Sequence, residues 1–282
     1  MPSMPLMLDR AELAREIQRL PSPPAVVLRL LSLVGNDSPL EDLEEAMSLD
    51  QALSAKVLRL ANSPFYGVSG RVTSIHDGIR ILGTSQICCL ALASAVTLPF
   101  EARYARSAQM MAAWQHSMAC GVAARRIAQS CGIDDAAGFS VGLLHDVGRL
   151  ILESHYPQHA AQANAWSARQ GLPRHEAEQT LLGISHAEIG GWVCSHWGFA
   201  PEVVAAIGLH HNPGVAHPLA DVAHVADVMA HALGMGGGCD VVPPRSSEEA
   251  WQRLRFTPDA ALALHAPIEQ EVQELVHHLK TP

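Results

Sequence analysis

The sequence predicts an all-α fold, and three observations predict it. Apolar residues recur at three- and four-residue spacing along nearly every segment. Capping residues stand where those runs begin, and Gly or Pro where they stop. No stretch reads convincingly as a strand.

The elements follow in order. Ala25 to Val34 is apolar, with Gly35 placed to end it. Ser38-Pro-Leu-Glu41 is a capping box with proline at the first helical position, after which Leu40, Leu43 and Met47 share one face. Asp50 caps a helix through Leu53, Val57 and Leu60 that Asn62-Ser-Pro64 stops. Ser74 to Leu82 closes on Gly83, and Thr84 caps a run through Cys88 to Leu98 that Pro99 ends. Longer helices are predicted over Ser107–Ser130, Gly138–Ser154, Pro157–Gln170, His175–Leu182, His186–Trp197, Pro201–His210 and Pro218–Leu233. Gly234 to Ser247, with Gly236-Gly-Gly238 and Pro243-Pro244, reads as a linker, because it lacks the Gly-Lys-Ser/Thr of a phosphate loop. Two further helices are expected to start near Pro258 and Pro267. The expected organisation is a small N-terminal helical subdomain over 1–104, a larger helical bundle over 105–235, and a loop with terminal helices over 236–282 packing on that bundle.

Composition bounds the function. With 48% hydrophobic residues in 282, the chain can bury a sizeable core. A net charge of -9 argues against broad, non-specific nucleic-acid binding, which needs a basic surface to displace counterions, while leaving room for a small local phosphate site. Arg103, Arg106, Arg125 and Arg126 form a small basic cluster that reads as a solvated helix face rather than as a dock for an acidic partner or ligand. Cys88, Cys89, Cys120, Cys131, Cys194 and Cys239 make no C-x-x-C pair and read as reduced core thiols. Asp9, Arg10 and Glu12 stand where a signal peptide needs an apolar core, and the apolar run Ile87 to Phe100 is too short to span a bilayer. A cytoplasmic protein with no membrane partner is expected.

The sixteen histidines crowd into the second half. His145-Asp146 lies within Val141-Gly-Leu-Leu-His-Asp-Val-Gly-Arg149, a segment that otherwise reads as buried helix. An ionised carboxylate is rare there unless something neutralises it. His116, His186, His210-His211 and Asp227 also stand in apolar helical surroundings. One candidate set is His116, His145, Asp146 and Asp227, whose nitrogen and oxygen atoms suit Mn, Fe, Zn or Co. A second is Asp146 as a bridge with His186, His210 and His211. Taken singly, each residue has a plainer reading: a hydrogen-bonded core histidine, a helix-surface carboxylate, an imidazole at a helix C-terminus. His76-Asp77 is an internal control, a like dipeptide without matching histidines, and reads as structural. His155, His159, His175, His196, His217, His265, His277 and His278 read as surface residues.

The ordered ligands, with Leu20-Pro-Ser-Pro-Pro24, Asp50 to Ser63, Ile75 to Gly83, Trp114-Gln-His-Ser117, Gly142 to Gly148, Glu176 through Gly190, Trp197 to Pro201, Ala206 to Pro213 and Ala226-Asp227, resemble the HDOD family of the HD superfamily. The resemblance spans about residues 10–235. It implies an HDOD-type fold in which 105–235 is the HD-like part. HD-superfamily enzymes are metal-dependent phosphohydrolases, and in the HD-GYP branch, which cleaves cyclic di-GMP, the matching positions bind a multinuclear centre. Carried over, the resemblance makes His116, His145, Asp146, His186, His210, His211 and Asp227 ligands of one or two divalent transition-metal ions. HDOD proteins often resemble non-catalytic regulators, and many lack these ligands. Arg149 stands where HD-GYP has lysine, and Asn212-Pro213 where it has glutamate ahead of a later Gly-Tyr-Pro.

Two functional classes follow. One is a bacterial signal-transduction module with a protein partner and a retained metal site. The other is a phosphohydrolase or phosphodiesterase acting on a nucleotide or cyclic dinucleotide, with Asp146 bridging the ions and Arg149 stabilising phosphate charge. A metal-free helical scaffold would have to treat the ordered set as accident.

Overall fold

The computed structural model describes residues 7–35, 38–66, 72–104, 108–212, 214, 216–235 and 242–280. Cys239, Gly236-Gly-Gly238 and Arg106 lie outside the described residues, as do the side chains of Arg103 and His278.

Every extended regular element among the described residues is an α-helix, and none is a strand. The first part runs α1 (Arg10–Ile17), α2 (Ala25–Gly35), α3 (Leu40–Ser48), α4 (Gln51–Ala61), α5 (Ile75–Leu82) and α6 (Thr84–Tyr104). The second runs α7 (Ala108–Cys131), α8 (Asp135–Leu144), α9 (Val147–His155), α10 (Pro157–Gln170), α11 (Arg174–Leu182), α12 (His186–His196), α13 (Pro201–Leu209) and α14 (Pro218–Ala232). It is closed by α15 (Glu248–Leu254) and α16 (Pro258–Lys280). No single helix among the described residues is long and apolar enough to cross a membrane.

Sequence and structure differ at four places, each with a local cause. The single helix expected over Gly138–Ser154 is two, broken at His145-Asp146, and the first begins earlier because Asp134 accepts hydrogen bonds from the amides of Ala136 and Ala137. The run from Thr84 passes through Pro99 to Tyr104. Pro267 lies inside α16 and does not start a helix. An internal proline costs about 3 kcal/mol, which burial of Ile268 and Leu275 on the same helix helps to offset. Finally, α1 and α15 are short helices beyond the predicted set, capped by Asp9 and Ser247.

One continuous apolar core runs from Leu8 to Leu275. Its axis is the α7–α8 pair. A Cβ on Gly142 would fall inside contact distance of the Cys120 carbonyl, so only glycine lets α8 lie this close to α7. The pair brings His116 and Cys120 of α7 against the end of α8. Helix α14 packs on both α7 and α8, and α12 packs on α9 and α13.

The arginines of α7 are no solvated face. Arg125 is buried, pairing with Gln86 of α6 and Glu271 of α16, and Arg126 reaches the second oxygen of Glu271 at 2.7 Å. Because Glu271 is itself buried, the two arginines compensate its desolvation, and Gln86 accepts from the other side of the Arg125 guanidinium. Helix α16 packs on α7 and also touches α4 and α6, so it ties the first part of the chain to the second.

Candidate metal centre

The break between α8 and α9 positions the centre. His145 ends α8, and Asp146 follows with φ -96° and ψ 10°, outside the helical region. His145 Nδ1 donates to the carbonyl of Gly142 at 2.7 Å, satisfying one of the open carbonyls at the helix end. At the end of α13, His210 Nδ1 donates to Ile207 O, also at 2.7 Å. In both rings that bond fixes the tautomer and leaves Nε2 bare and inward.

Two groups of side chains result. In the first, His116 Nε2 lies 3.1 Å from Asp227 Oδ1, and His145 Nε2 lies 3.7 Å from the same oxygen. Cys120, one turn after His116, places its Sγ 3.4 Å from His116 Nε2. His231, one turn after Asp227, reaches Asp227 Oδ1 at 3.4 Å. In the second, His186 Nε2 and His211 Nε2 face each other at 3.1 Å, with the His210 ring 4.0 Å from that of His211. Asp146 lies between the groups, Oδ1 at 3.2 Å from His186 Nε2 and Oδ2 at 3.7 Å from His145 Nε2. Either group, of His, Cys and Asp or of His alone, could hold a metal ion.

Surrounding polar residues orient these rings. The fully buried Glu178 accepts from both the amide and Nδ1 of His186 through one oxygen, at 2.7 and 2.6 Å. Its other oxygen accepts from Arg174 Nε at 2.9 Å. Burial alone would raise the Glu178 carboxyl, but His186 and Arg174 outweigh it and hold it at about 2. Burial likewise opposes a charged His186, and the Glu178 carboxylate overrides it, raising the ring above its ordinary value. His224 donates from Nδ1 to His210 O at 2.9 Å and accepts from the Ser247 amide, so the start of α15 steadies the end of α13.

Charge balance singles out the carboxylates. Burial pushes Asp146 and Asp227 up, yet both are held well below the usual carboxylate range, Asp146 by His145, His186 and Arg149, Asp227 by His116 and His145. His210 moves the other way, down to about 3, through burial and its neighbours His145 and His186. Arg149 is buried, with Nη1 3.5 Å from Asp146 Oδ2 and Nε 3.2 Å from Glu153.

A profile of the HDOD domain matches residues 20–213. The chain belongs to the HDOD family. An uncharacterised protein of Treponema pallidum is 25% identical over 205 residues, 72% of this chain, and this HDOD chain spans about two fifths (39%) of that relative's length. A solved structure from Shewanella amazonensis, named "putative phosphohydrolase", is 26% identical with a TM-score of 0.72 over 95% of this chain and 98% of its own. A second, from Marinobacter aquaeolei and named "putative signal transduction protein", has a TM-score of 0.72 at 22% identity, over 98% of this chain and 62% of its own. The HDOD helical fold is thereby shared.

The residues of this HDOD chain fit a cation. His145 Nε2, His210 Nε2 and His211 Nδ1 are buried without a hydrogen-bond partner, and each such atom costs about 1–3 kcal/mol. Two ionised carboxylates stand among them. Histidine and carboxylate donors are those of transition-metal sites.

Several surrounding residues escape the sequence reading. Glu178 and Cys120 are two of them, and spacing is the signal for both: Glu178 follows Arg174 by four residues, and Cys120 follows His116 by four. His175, read as a surface residue, instead stacks on His211 with ring centroids 4.1 Å apart and 14° between planes. Both rings line a pocket of about 590 Å³ with Glu176, Gln179, Ser185 and Glu188. Through His211 this pocket adjoins the second group. His76-Asp77 is remote in kind: His76 pairs with Glu44 at 3.2 Å, and Asp77 sits in the first turn of α5.

Proposed function

We propose that this HDOD protein is a signal-transduction module whose HD-like part, 105–235, retains a metal centre. His116, His145, Asp146 and Asp227 hold one divalent transition-metal ion, and His186, His210 and His211 hold a second, with Asp146 between them. Fe, Mn, Zn and Co are the candidates for these donors. The observation that carries this reading is the set of bare imidazole nitrogens, His145 Nε2 and His210 Nε2 foremost, buried beside ionised Asp146 and Asp227. A cation satisfies the nitrogens and the carboxylates together without a proton on either ring.

An ion held there supplies Lewis acidity and a template for a phosphoryl group. Two features support regulation over turnover. The pocket beside His211 is lined by Glu176 and Glu188, which repel an incoming phosphate. Arg149, the cation expected to stabilise phosphate, is directed at Asp146 and Glu153 and is buried. Its role is to position Asp146. The signal then comes from a protein partner or from a nucleotide or cyclic-dinucleotide ligand.

Phosphohydrolase activity is the second reading, favoured by one observation: His211 belongs both to the second group and to the pocket wall, so an ion there would be reachable. Metal analysis of tag-free protein is expected to show one or two transition-metal ions per chain, lost in Asp146→Ala. Metal-free wild-type protein would remove both readings. With metal present, no turnover of cyclic dinucleotides, nucleotides or a generic phosphodiester under Mn or Fe leaves the regulatory reading. Turnover lost in Asp146→Ala replaces it with the enzymatic one.

A further inference from the structure

We propose that the Cys120 thiolate is a ligand of the first ion, making that position a mixed sulfur, nitrogen and oxygen site. This rests on the metal reading above and sharpens it, because a thiolate changes which metal the position takes.

The geometry begins on α7. His116 and Cys120 are four residues apart, on one face, and both are buried. The reacting atoms of His116, Cys120, His145 and Asp227 all lie within 4.8 Å of one another. The closest pairs are 3.4 Å from Sγ to His116 Nε2, 3.1 Å from His116 Nε2 to Asp227 Oδ1, and 3.7 Å from His145 Nε2 to that oxygen. Zinc bonds of about 2.3 Å to sulfur and about 2.0–2.1 Å to nitrogen or oxygen, at near-tetrahedral angles, set neighbouring donors roughly 3.3–3.6 Å apart, and Asp146 remains a fifth donor on the side of the second group. The observed separations bracket that spacing.

A buried cysteine is by itself an ordinary core residue. His145 Nε2 supplies the independent observation, a buried ring nitrogen with no hydrogen-bond partner, aimed into the same space. Gly142 lets α8 approach the Cys120 carbonyl closely enough to bring His145 opposite. On coordination the S–H bond breaks, an S–metal bond forms, and the proton passes to solvent. One soft donor among harder ones selects Zn, Fe or Co over Mn.

Cobalt(II) loading of the metal-depleted full chain tests this. Wild-type protein should show visible cobalt bands together with a near-ultraviolet thiolate-to-cobalt charge-transfer band. Cys120→Ser should keep the visible bands and lose the charge-transfer band. Visible bands without charge transfer in the wild type, or a charge-transfer band that persists in Cys120→Ser, overturn the thiolate assignment and leave the metal reading standing. No cobalt uptake at all overturns both. X-ray absorption at the zinc edge of the wild-type protein is independent of any variant: a sulfur neighbour at about 2.3 Å supports the assignment, and a shell of nitrogen and oxygen alone overturns it.

Discussion

The chain contains two His-Asp dipeptides, and the structure treats them in opposite ways. His76-Asp77 lies in the first turn of α5, where Ser74 caps the helix by accepting from the Asp77 amide, and the Ser74 hydroxyl donates to Asp77 Oδ2 at 2.7 Å. Its histidine is half-buried and paired to Glu44. His145-Asp146 lies at a helix break, buried, with its polar atoms directed at other histidines. The same letters serve a helix start in one place and a centre in the other. What differs is the end of helix at which they stand and the side chains that neighbouring helices deliver.

The largest contrast is in metal. Asp146→Ala is expected to abolish metal loading, whereas Asp77→Ala should leave stoichiometry unchanged. With metal a thousandfold above Kd, the lost linkage amounts to about 4 kcal/mol. The readout is the metal-dependent rise in Tm, present in wild type and Asp77→Ala and absent in Asp146→Ala. Equal metal content in all three would erase the distinction between the dipeptides.

Next in size is the close approach that the buried dipeptide requires. A Cβ on Gly148 would fall within contact distance of the His186 carbonyl and 2.6 Å from the Gly190 amide nitrogen, both backbone atoms of α12. Gly148→Ala should destabilise the metal-free chain by about 1–3 kcal/mol, the range of overpacking, measured by urea unfolding. Gly78, beside the exposed dipeptide, faces only side chains, the nearest being Val57 at 3.1 Å. Gly78→Ala should therefore cost less, and an equal cost would break the comparison.

How the site is built explains how much of it is legible in the sequence. Imidazoles and carboxylates in apolar helical surroundings are visible as letters out of place, which makes His116, His145, Asp146, His186, His210, His211 and Asp227 candidates, while their joining in one set is what the resemblance implies. The helical class is legible for the same reason, since periodicity reports which face is covered. The break at 145–146 is not, because Leu143-Leu-His-Asp-Val-Gly-Arg149 contains no proline to mark it. Arg174 and Glu178 stand four residues apart, a spacing common to solvated helix pairs, yet both are buried, and only tertiary packing tells the two cases apart. Arg125 is misread in the same way, because its partner Glu271 is distant in sequence.

Glu178 sharpens the contrast from outside the dipeptide. It fixes the tautomer of His186 as Glu44 cannot fix that of His76, since Glu178 is fully buried and itself held by Arg174. Removing its charge without changing its shape should weaken the second ion about 10–100-fold, as loss of a carboxylate behind a metal-binding histidine does. Glu178→Gln should thus shift the affinity measured by competition with a chelator, while Glu44→Gln shifts nothing. An unchanged affinity in Glu178→Gln would mean that His186 is oriented by packing alone.

The smallest effect belongs to the exposed dipeptide. Asp77 contributes through the helix dipole and its contact with the Ser74 hydroxyl, both at the surface. Asp77→Ala should cost about 0.3–1 kcal/mol, as a small, metal-independent fall in Tm. Chelator should lower the Tm of this variant by the same amount as the wild type's, because among the described residues α5 contributes no side chain to either group. A loss that disappeared on metal removal would place Asp77 within reach of the centre, and the two dipeptides would then be parts of one site rather than two uses of one motif.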